Sequence, residues 1–359
     1  MLTYIEIIDK YTLNKIALVE PKECWFELSF NRVGECELYA VANTNNKASL
    51  LKGNFLKIPN KDYIWVIEKI SYTYVDGVPM IDAKGYEAKW LLNKRIIQEP
   101  VELPAQVALA IEQLVYNNLG AGADAARQII GFNVYTSGIT TTLSDTQASR
   151  GNLLDFVNNL LNTYNLGGIV LYQQNKLLFK VYEGRDLSAS IRFSQSLDNL
   201  LESTYSIDDT NLGTTVLAVS TVETTDYTET YDSGATGIDR AEKLYKSNLS
   251  LEYTPQGATE PVKLDLSNPA DLALYKSWLQ QEAYTDLNNY TSKNEINSIL
   301  DLINSNYEFE DDYFLGDLVG VIDDYFNYNA AAQILKITIK QDSGGYGEEV
   351  EYKIWVEQM

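Results

Sequence analysis

The sequence predicts an α+β, multidomain protein in which β-rich regions, expected to form two β-barrel-like domains, alternate with inserted α/β segments. Three observations carry that expectation. At 359 residues the chain exceeds the roughly 250 residues that one hydrophobic core usually serves. Apolar residues alternate near both ends of the chain, whereas three interior stretches repeat at the spacing of a helix. Tyr is unusually abundant, 26 against 10 Phe, and its apolar body with a polar tip suits strands and interfaces that are only partly dry.

Residues 1–98 read as an N-terminal β-barrel domain. Trp25 to Phe30 and Glu35 to Val41 are short strands around the turn Asn31-Arg32-Val33-Gly34. Ile64 to Val75 and Val78 to Ala83 form the clearest hairpin, because Asp76-Gly77 tolerates the positive φ angles of a type I′ turn. Residues 99–190 read as an α/β insertion. There Pro104 is placed in the first turn of a helix carrying Val107, Ala108, Ile111, Leu114 and Val115 on one face. Leu153, Leu154, Val157, Leu160, Leu161 and Tyr164 mark a stronger helix ending at Gly167-Gly168, and Ile169 to Tyr182 reads as a hairpin around Gln174-Asn175.

Strand character returns from Ile191 to Val222, so residues 191–250 with 307–340 are assigned to a second β-barrel domain. Thr224 to Gly237 reads as a loop. Within 251–306, expected as a helical or α+β insertion, Asn268 caps a helix that starts at Pro269 and carries Leu272, Tyr275, Trp278 and Leu279. Helical character is expected to continue, with a break, through Ile296, Leu300 and Ile303. Leu335, Ile337 and Ile339 alternate with polar residues, and residues 341–359 are expected to supply a C-terminal strand that closes the last domain.

Composition excludes much chemistry. With 28 Lys+Arg against 50 Asp+Glu the net charge is −22, and such a surface repels nucleic-acid phosphates, so no specific nucleic-acid binding is expected. There is no histidine, which removes the usual general base, Ser-His-Asp arrangements and imidazole zinc sites. Cys24 and Cys36 read as buried free thiols. No signal peptide is evident at the N-terminus, and no apolar run reaches the roughly 20 residues of a membrane span. Synthesis and assembly in a cytoplasm are therefore expected, with no membrane segment. No cofactor or metal, and no catalytic residue, is expected.

Two features invite a chemical reading. Gly120-Ala121-Gly122 superficially matches a dinucleotide fingerprint, but it follows a helix instead of a strand and reads as a linker. The acidic run Glu308, Glu310, Asp311, Asp312, Asp317, Asp323 and Asp324 could supply paired carboxylates for glycoside hydrolysis or ligands for calcium. It lacks the spacing of a calcium loop and reads first as a solvated turn and strand edge. An acidic carbohydrate-active enzyme or glycan-binding module using the Glu308–Asp324 cluster is the alternative function.

Three segments carry a family resemblance. Ile67-Glu68-Lys69-Ile70, the Asp76-Gly77 hairpin and the run from Gly85 through Leu91, Leu92 and Arg95 come first. Ile191-Arg192-Phe193-Ser194 with Asp198-Asn199-Leu200 and Tyr205 follows, and then Tyr313-Phe314-Leu315-Gly316-Asp317-Leu318-Val319. In this order they resemble the siphophage tail-associated hub proteins, similar to the central baseplate hub of contractile phages. The resemblance implies a non-enzymatic virion structural protein at the phage tail tip. It implies a homotrimer whose ring joins a hexameric tail tube to the tip and surrounds the DNA exit channel. Implied partners are the distal tail protein, tail tube protein, tape measure protein and receptor-binding or fibre proteins, with DNA only passing through. Gly85, Leu91, Leu92, Arg95, Ser194, Asn199, Leu200, Tyr313, Leu315, Gly316, Asp317 and Val319 are the motif residues, with structural roles. Many members continue into a hydrolase or fibre domain; this sequence stops at Met359, so lytic or receptor-binding activity is expected on another chain.

Overall fold

The computed structural model describes residues 4–354 apart from 145, 257, 259, 301–305, 324, 326–327 and 343–344. The chain opens with β1 (Ile5–Ile8), β2 (Lys15–Val19), β3 (Glu23–Ser29), β4 (Glu35–Val41), a short α1 (Thr44–Ser49), β5 (Phe55–Lys57), β6 (Ile64–Val75) and β7 (Val78–Glu87). The two expected hairpins are present: Phe26 pairs with Cys36, and Val75 pairs with Val78 across Asp76 and Gly77, whose φ angles are 51° and 80°. A 3₁₀ turn over Ala88–Lys94 then leads out of the sheet. Helix α1 escaped the sequence reading because its sequence is polar; it is nucleated by the Asn43 side chain, which accepts from the Asn46 N–H at 2.8 Å.

The next elements are β8 (Ile96–Ile97), β9 (Val101–Glu102), α2 (Val107–Leu119), β10 (Phe132–Tyr135), β11 (Gln147–Ala148), β12 (Gly151–Asn152), α3 (Leu153–Thr163), β13 (Gly167–Gln173) and β14 (Lys176–Tyr182). Both expected helices form, although α2 begins at Val107 with Gln106 as its cap, so Pro104 lies before the helix instead of in its first turn. Helix α3 starts at Asn152, whose carboxamide accepts from the N–H groups of Leu154 and Asp155. The β13–β14 hairpin turns through Gln174 and Asn175, both at positive φ. The apolar faces of α2 and α3 close with this hairpin over a second core containing Val107, Ile111, Val115, Val157, Leu161 and Phe179.

Then follow β15 (Arg192–Ser194), β16 (Leu200–Asp208), β17 (Thr215–Val222), β18 (Thr225–Asp232), β19 (Glu242–Lys246), β20 (Glu252–Tyr253), β21 (Val262–Lys263), α4 (Pro269–Leu287), β22 (Lys293–Leu300), β23 (Leu318–Asp323), β24 (Tyr328–Asp342) and β25 (Gly345–Ile354). Two expectations are corrected here. The stretch expected as a loop contains β18, which pairs antiparallel with β17 from Thr215↔Asp232 to Val222↔Thr225. The stretch expected to stay helical through Ile296 and Leu300 is β22, paired with β16 and β25; Ile303 lies outside the described residues. Helix α4 itself starts as expected at Asn268-Pro269 and lays Tyr275, Trp278 and Leu279 over Val216 and Ala218, forming a third core.

Strands β1 to β7 of the expected first barrel join β15, β16, β23 and β24 of the expected second, with β22 and β25, in one 13-stranded sheet of order β16-β22-β25-β24-β3-β4-β7-β6-β5-β1-β2, with β23 and β15 branching from β24. Strands β17, β18 and β19, expected in the second barrel, form a separate three-stranded sheet. The seam is β24 against β3, where Ile337 pairs with Leu28 and Lys340 with Trp25. No pairing among the described residues closes this path into a barrel. The first and largest core lies along the sheet, where Phe26, Phe30, Trp65, Phe193, Tyr313, Val321 and Ile337 are all buried. Cys24 and Cys36 are free thiols within it, and burial pushes the Cys24 thiol up to about 12. No helix among the described residues is long and apolar enough to cross a membrane.

Candidate functional site

The last two motif segments meet. β15 runs parallel to β23, placing Phe193 beside Val321 and Ser194 beside Ile322. Phe193 lies edge-on to Tyr313 at 5.6 Å between ring centroids, and Tyr313, Leu315, Val319 and Leu200 are buried in the same core. Between β15 and β16 the chain reverses on a small polar frame. Asn199 accepts from the Ser194 N–H at 2.9 Å and donates to the Arg192 carbonyl at 2.9 Å, while the Ser194 hydroxyl accepts from Leu197 N–H at 3.2 Å. Asp198 sits in the left-handed region at φ 53°, a conformation that short polar side chains tolerate.

Gly316 and Asp317 form the tightest part of this junction. Gly316 has φ +88°, and a Cβ there would lie 2.2 Å from the Phe30 ring. Its carbonyl accepts from Gln333 Nε2 at 2.9 Å. Asp317 is 2% exposed and gathers the Arg185 N–H at 2.7 Å, the Phe314 N–H at 2.8 Å and Arg185 Nη2 at 2.6 Å. The carboxylate thus ties the end of the β14 segment to the entry of β23. Arg185 was missed in the sequence, where Tyr182-Glu183-Gly184-Arg185-Asp186 shows no periodic pattern.

The first motif stands apart, at the boundary between the first and second cores. Gly85 lies opposite a bulge in β6, and a Cβ there would fall 1.9 Å from the Val66 carbonyl oxygen, so no side chain fits. Leu91 and Leu92 are buried in the second core. Arg95 donates through Nε and Nη2 to the Arg127 carbonyl at 3.0 and 2.7 Å, pinning the 3₁₀ turn to the loop after α2. Two residues inside this motif that sequence reasoning passed over form a buried ion pair, Lys89 at 0% and Glu87 at 3% exposure. Lys89 Nζ lies 3.4 Å from Glu87 Oε1 and donates to the Gly168 carbonyl at 2.8 Å. Glu87 Oε2 accepts from Ser29 and Gly34 N–H groups. Burial pushes the Glu87 carboxyl up and the Lys89 ammonium down, opposed in each case by the partner's charge.

Among the described residues the acidic run does not converge on a reacting centre. Glu310 pairs with Lys61 at 2.6 Å, Asp312 accepts from its own loop at Glu308 N–H, and Asp317 is held by Arg185. Asp323 accepts from Gln195 Nε2 at 2.9 Å and from the Ser203 hydroxyl. Glu308 and Asp311 are exposed, and Asp324 lies outside the described residues. Glu310 and Asp317 do line a groove of about 440 Å³ with Tyr63, Tyr182, Phe314 and Lys180. Among the described residues no group of three or more Asp, Glu or Cys side chains is arranged to hold a metal ion. Gly120 ends α2 by donating its N–H to the Tyr116 carbonyl, which is the linker role expected of the glycine pair.

The whole fold has known relatives. A tail protein from Neisseria meningitidis MC58 aligns at a TM-score of 0.57 with 12% identity, covering 98% of this chain and 96% of that one. The 43 kDa tail protein of prophage MuSo2 from Shewanella oneidensis gives 0.52 and 10%, covering 98% of both chains. Prophage tail protein gp18 from Listeria monocytogenes EGD-e gives 0.51 and 14%, covering 98% of this chain and 94% of that one. At these identities the likeness is one of fold. No curated protein matches the sequence. The family model described as Siphovirus ReqiPepy6 Gp37-like protein matches residues 4–354, and the chain belongs to that family.

Proposed function

We propose that the chain is a non-enzymatic hub of a phage tail tip, or of a phage-derived tail-like particle. In this reading three copies form a ring that connects the hexameric tail tube and the distal tail protein to the tip, around the DNA exit channel. The carrying observation is the agreement between family and fold: the family model and the three tail-protein folds each extend over nearly the whole chain. The motif residues support it. Gly85, Leu92, Asn199, Tyr313, Gly316 and Asp317 all serve packing, turns or internal ties, as a rigid ring component requires. The carboxylate best placed for chemistry, Asp317, is held by an arginine and two backbone donors. A net charge of −22 suits a channel wall, because it repels the phosphates of passing DNA instead of gripping them. Electron microscopy of the purified protein, alone and with the distal tail protein of the same particle, tests this: annular particles with threefold averages support it, and isolated globular particles in both samples count against it.

A further inference from the structure

The two halves of the large sheet repeat one topology. In the first half β3 and β4 lie beside the β6–β7 hairpin in the order β3-β4-β7-β6, and in the second β16 and β22 lie beside the β24–β25 hairpin in the order β16-β22-β25-β24. The match extends to register. Each hairpin closes on a last pair, Val75↔Val78 and Asp342↔Gly345, and each carries a bulge at the same distance from it, between Ile67 and Lys69 and between Ile334 and Lys336. The row Ile67, Gly85, Cys36, Phe26 crosses the first half as Ile334, Tyr352, Ile296, Tyr205 crosses the second. The outer edges differ. The edge of β24 away from β25 is taken by β23 as far as Gln333 and by β3 from Lys336 onward. The equivalent edge of β6 is taken by β5 as far as Val66, and beyond Ile67 no strand among the described residues pairs with it. Likewise β3 lies between β24 and β4, whereas its counterpart β16 has β22 on one side and ends the sheet among the described residues. Over residues 70–75 the β6 edge has no charge, Pro or Gly, and Tyr72 and Tyr74 are 57% and 79% exposed, a combination that solvent-facing sheet edges avoid.

We propose that β6 of one copy pairs antiparallel with β16 of a second copy, repeating between chains the β24–β3 seam that each chain makes within itself. The inference rests on the hub reading for a closed ring, and it names the strands that join that ring. Carrying the seam over strand by strand fixes the register. Lys336↔Ser29 becomes Lys69 opposite the second copy's Asp208, and Ile337↔Leu28 becomes Ile70 opposite its Ile207. Ile339↔Phe26 becomes Tyr72 opposite Tyr205, and Lys340↔Trp25 becomes Thr73 opposite Thr204. Opposite charges, paired β-branched residues, paired aromatics and paired threonines are the cross-strand neighbours that stabilise antiparallel sheets. Ile207 is 61% exposed in the single chain, so the pairing covers it together with Tyr72. A slip of one residue would set Lys69 against Ile207 and turn every side chain of the added strand to the other face. Because the two edges belong to different strands the contact is head-to-tail, the kind that closes rings.

Disulfide trapping in the full chain, alone and mixed with the distal tail protein of the same particle, tests the pairing. Thr73→Cys with Thr204→Cys puts thiols at directly opposed positions, and the native thiols Cys24 and Cys36, each 2% exposed, stay out of reach. Within one chain six strands separate β6 from β16, roughly 30 Å, so a bond between the new thiols joins two copies. Mild oxidation should give covalent dimers and trimers on a non-reducing gel, at least tenfold above Thr73→Cys with Thr210→Cys, whose second thiol lies beyond the end of β16. Trimers by light scattering that yield no such bond overturn the pairing and leave the hub reading standing. Dimers trapped by Thr73→Cys alone show β6 pairing with itself and overturn it as well. Absence of any assembly in both samples removes the hub reading and the pairing with it. Should the cysteine variants misfold, hydrogen exchange of the unaltered protein decides: amides within residues 70–75 and 203–207 must slow on assembly, and unchanged exchange at either strand refutes the proposal.

Discussion

Replacing Gly316 with Ala should be among the most damaging single-methyl changes in the protein. Two effects add. A φ of +88° strains an L residue by roughly 1–2 kcal/mol. The new methyl would meet three Phe30 ring atoms at 2.2, 2.6 and 2.8 Å, and Phe30 is fully buried, so overpacking adds about 1–3 kcal/mol. The sum, roughly 2–5 kcal/mol, should lower the melting temperature of a cooperative unit of about 200 residues by roughly 10 °C, taking about 2–4 °C per kcal/mol. Gly77→Ala is the internal control. It has a similar φ of +80° but nothing within 4 Å, so only the strain remains, and the expected fall is a few degrees. Adding Phe30→Leu to Gly316→Ala should recover about 1 kcal/mol or more relative to the sum of the single changes. Differential scanning calorimetry of the parent protein and four variants, Phe30→Leu alone among them, measures all of this. Equal melting shifts for Gly316→Ala and Gly77→Ala would refute the argument that the Phe30 contact fixes this glycine.

Other outcomes follow from the same geometry. Asp317→Asn removes a charge that serves two backbone donors and Arg185, and should cost about 2–3 kcal/mol in urea unfolding; a change below about 0.5 kcal/mol would show that the junction holds without it. Lys89→Met leaves Glu87 buried without its counter-charge and should cost about 3–5 kcal/mol, whereas Glu87→Gln with Lys89→Met should cost far less than the sum of the single changes. Burial makes Glu282 titrate higher in the folded chain, about 7, than its ordinary value of 4.5, so the folded state holds more protons between these values. Its contribution is therefore full below pH 4.5 and is lost as pH rises toward 7. Glu282→Gln should flatten the fall in melting temperature across that window, and parallel profiles for the two proteins would contradict the burial argument.

Legibility followed the range of the interactions. The Asp76-Gly77 hairpin, the Asn268 cap and the apolar faces of α2 and α3 depend on residues a few positions apart, and their sequence patterns are correspondingly clear. Strand β22 misled because Ile296 and Leu300 are four apart, a spacing that fits a helix face and a strand face equally well. Strand β18 misled because Thr, Asp and Glu dominate it, and it is stabilised by Tyr227 and Tyr231 packing on Tyr275 and Tyr284 of a helix about 50 residues later. The seam between β24 and β3 joins residues near opposite ends of the chain, and no local pattern announces such pairing. At the candidate site the motif residues are named in the sequence by family resemblance, while Arg185, Phe30 and the Glu87–Lys89 pair gain meaning only from what the fold brings against them.

The most direct test of the hub reading is the solution mass of the purified chain by multi-angle light scattering across a concentration series. The account predicts a species at three times the 40.5 kDa chain mass, about 121.5 kDa, that persists on dilution. A monomer at every concentration, both alone and mixed with the distal tail protein of the same particle, would contradict a ring formed by this chain.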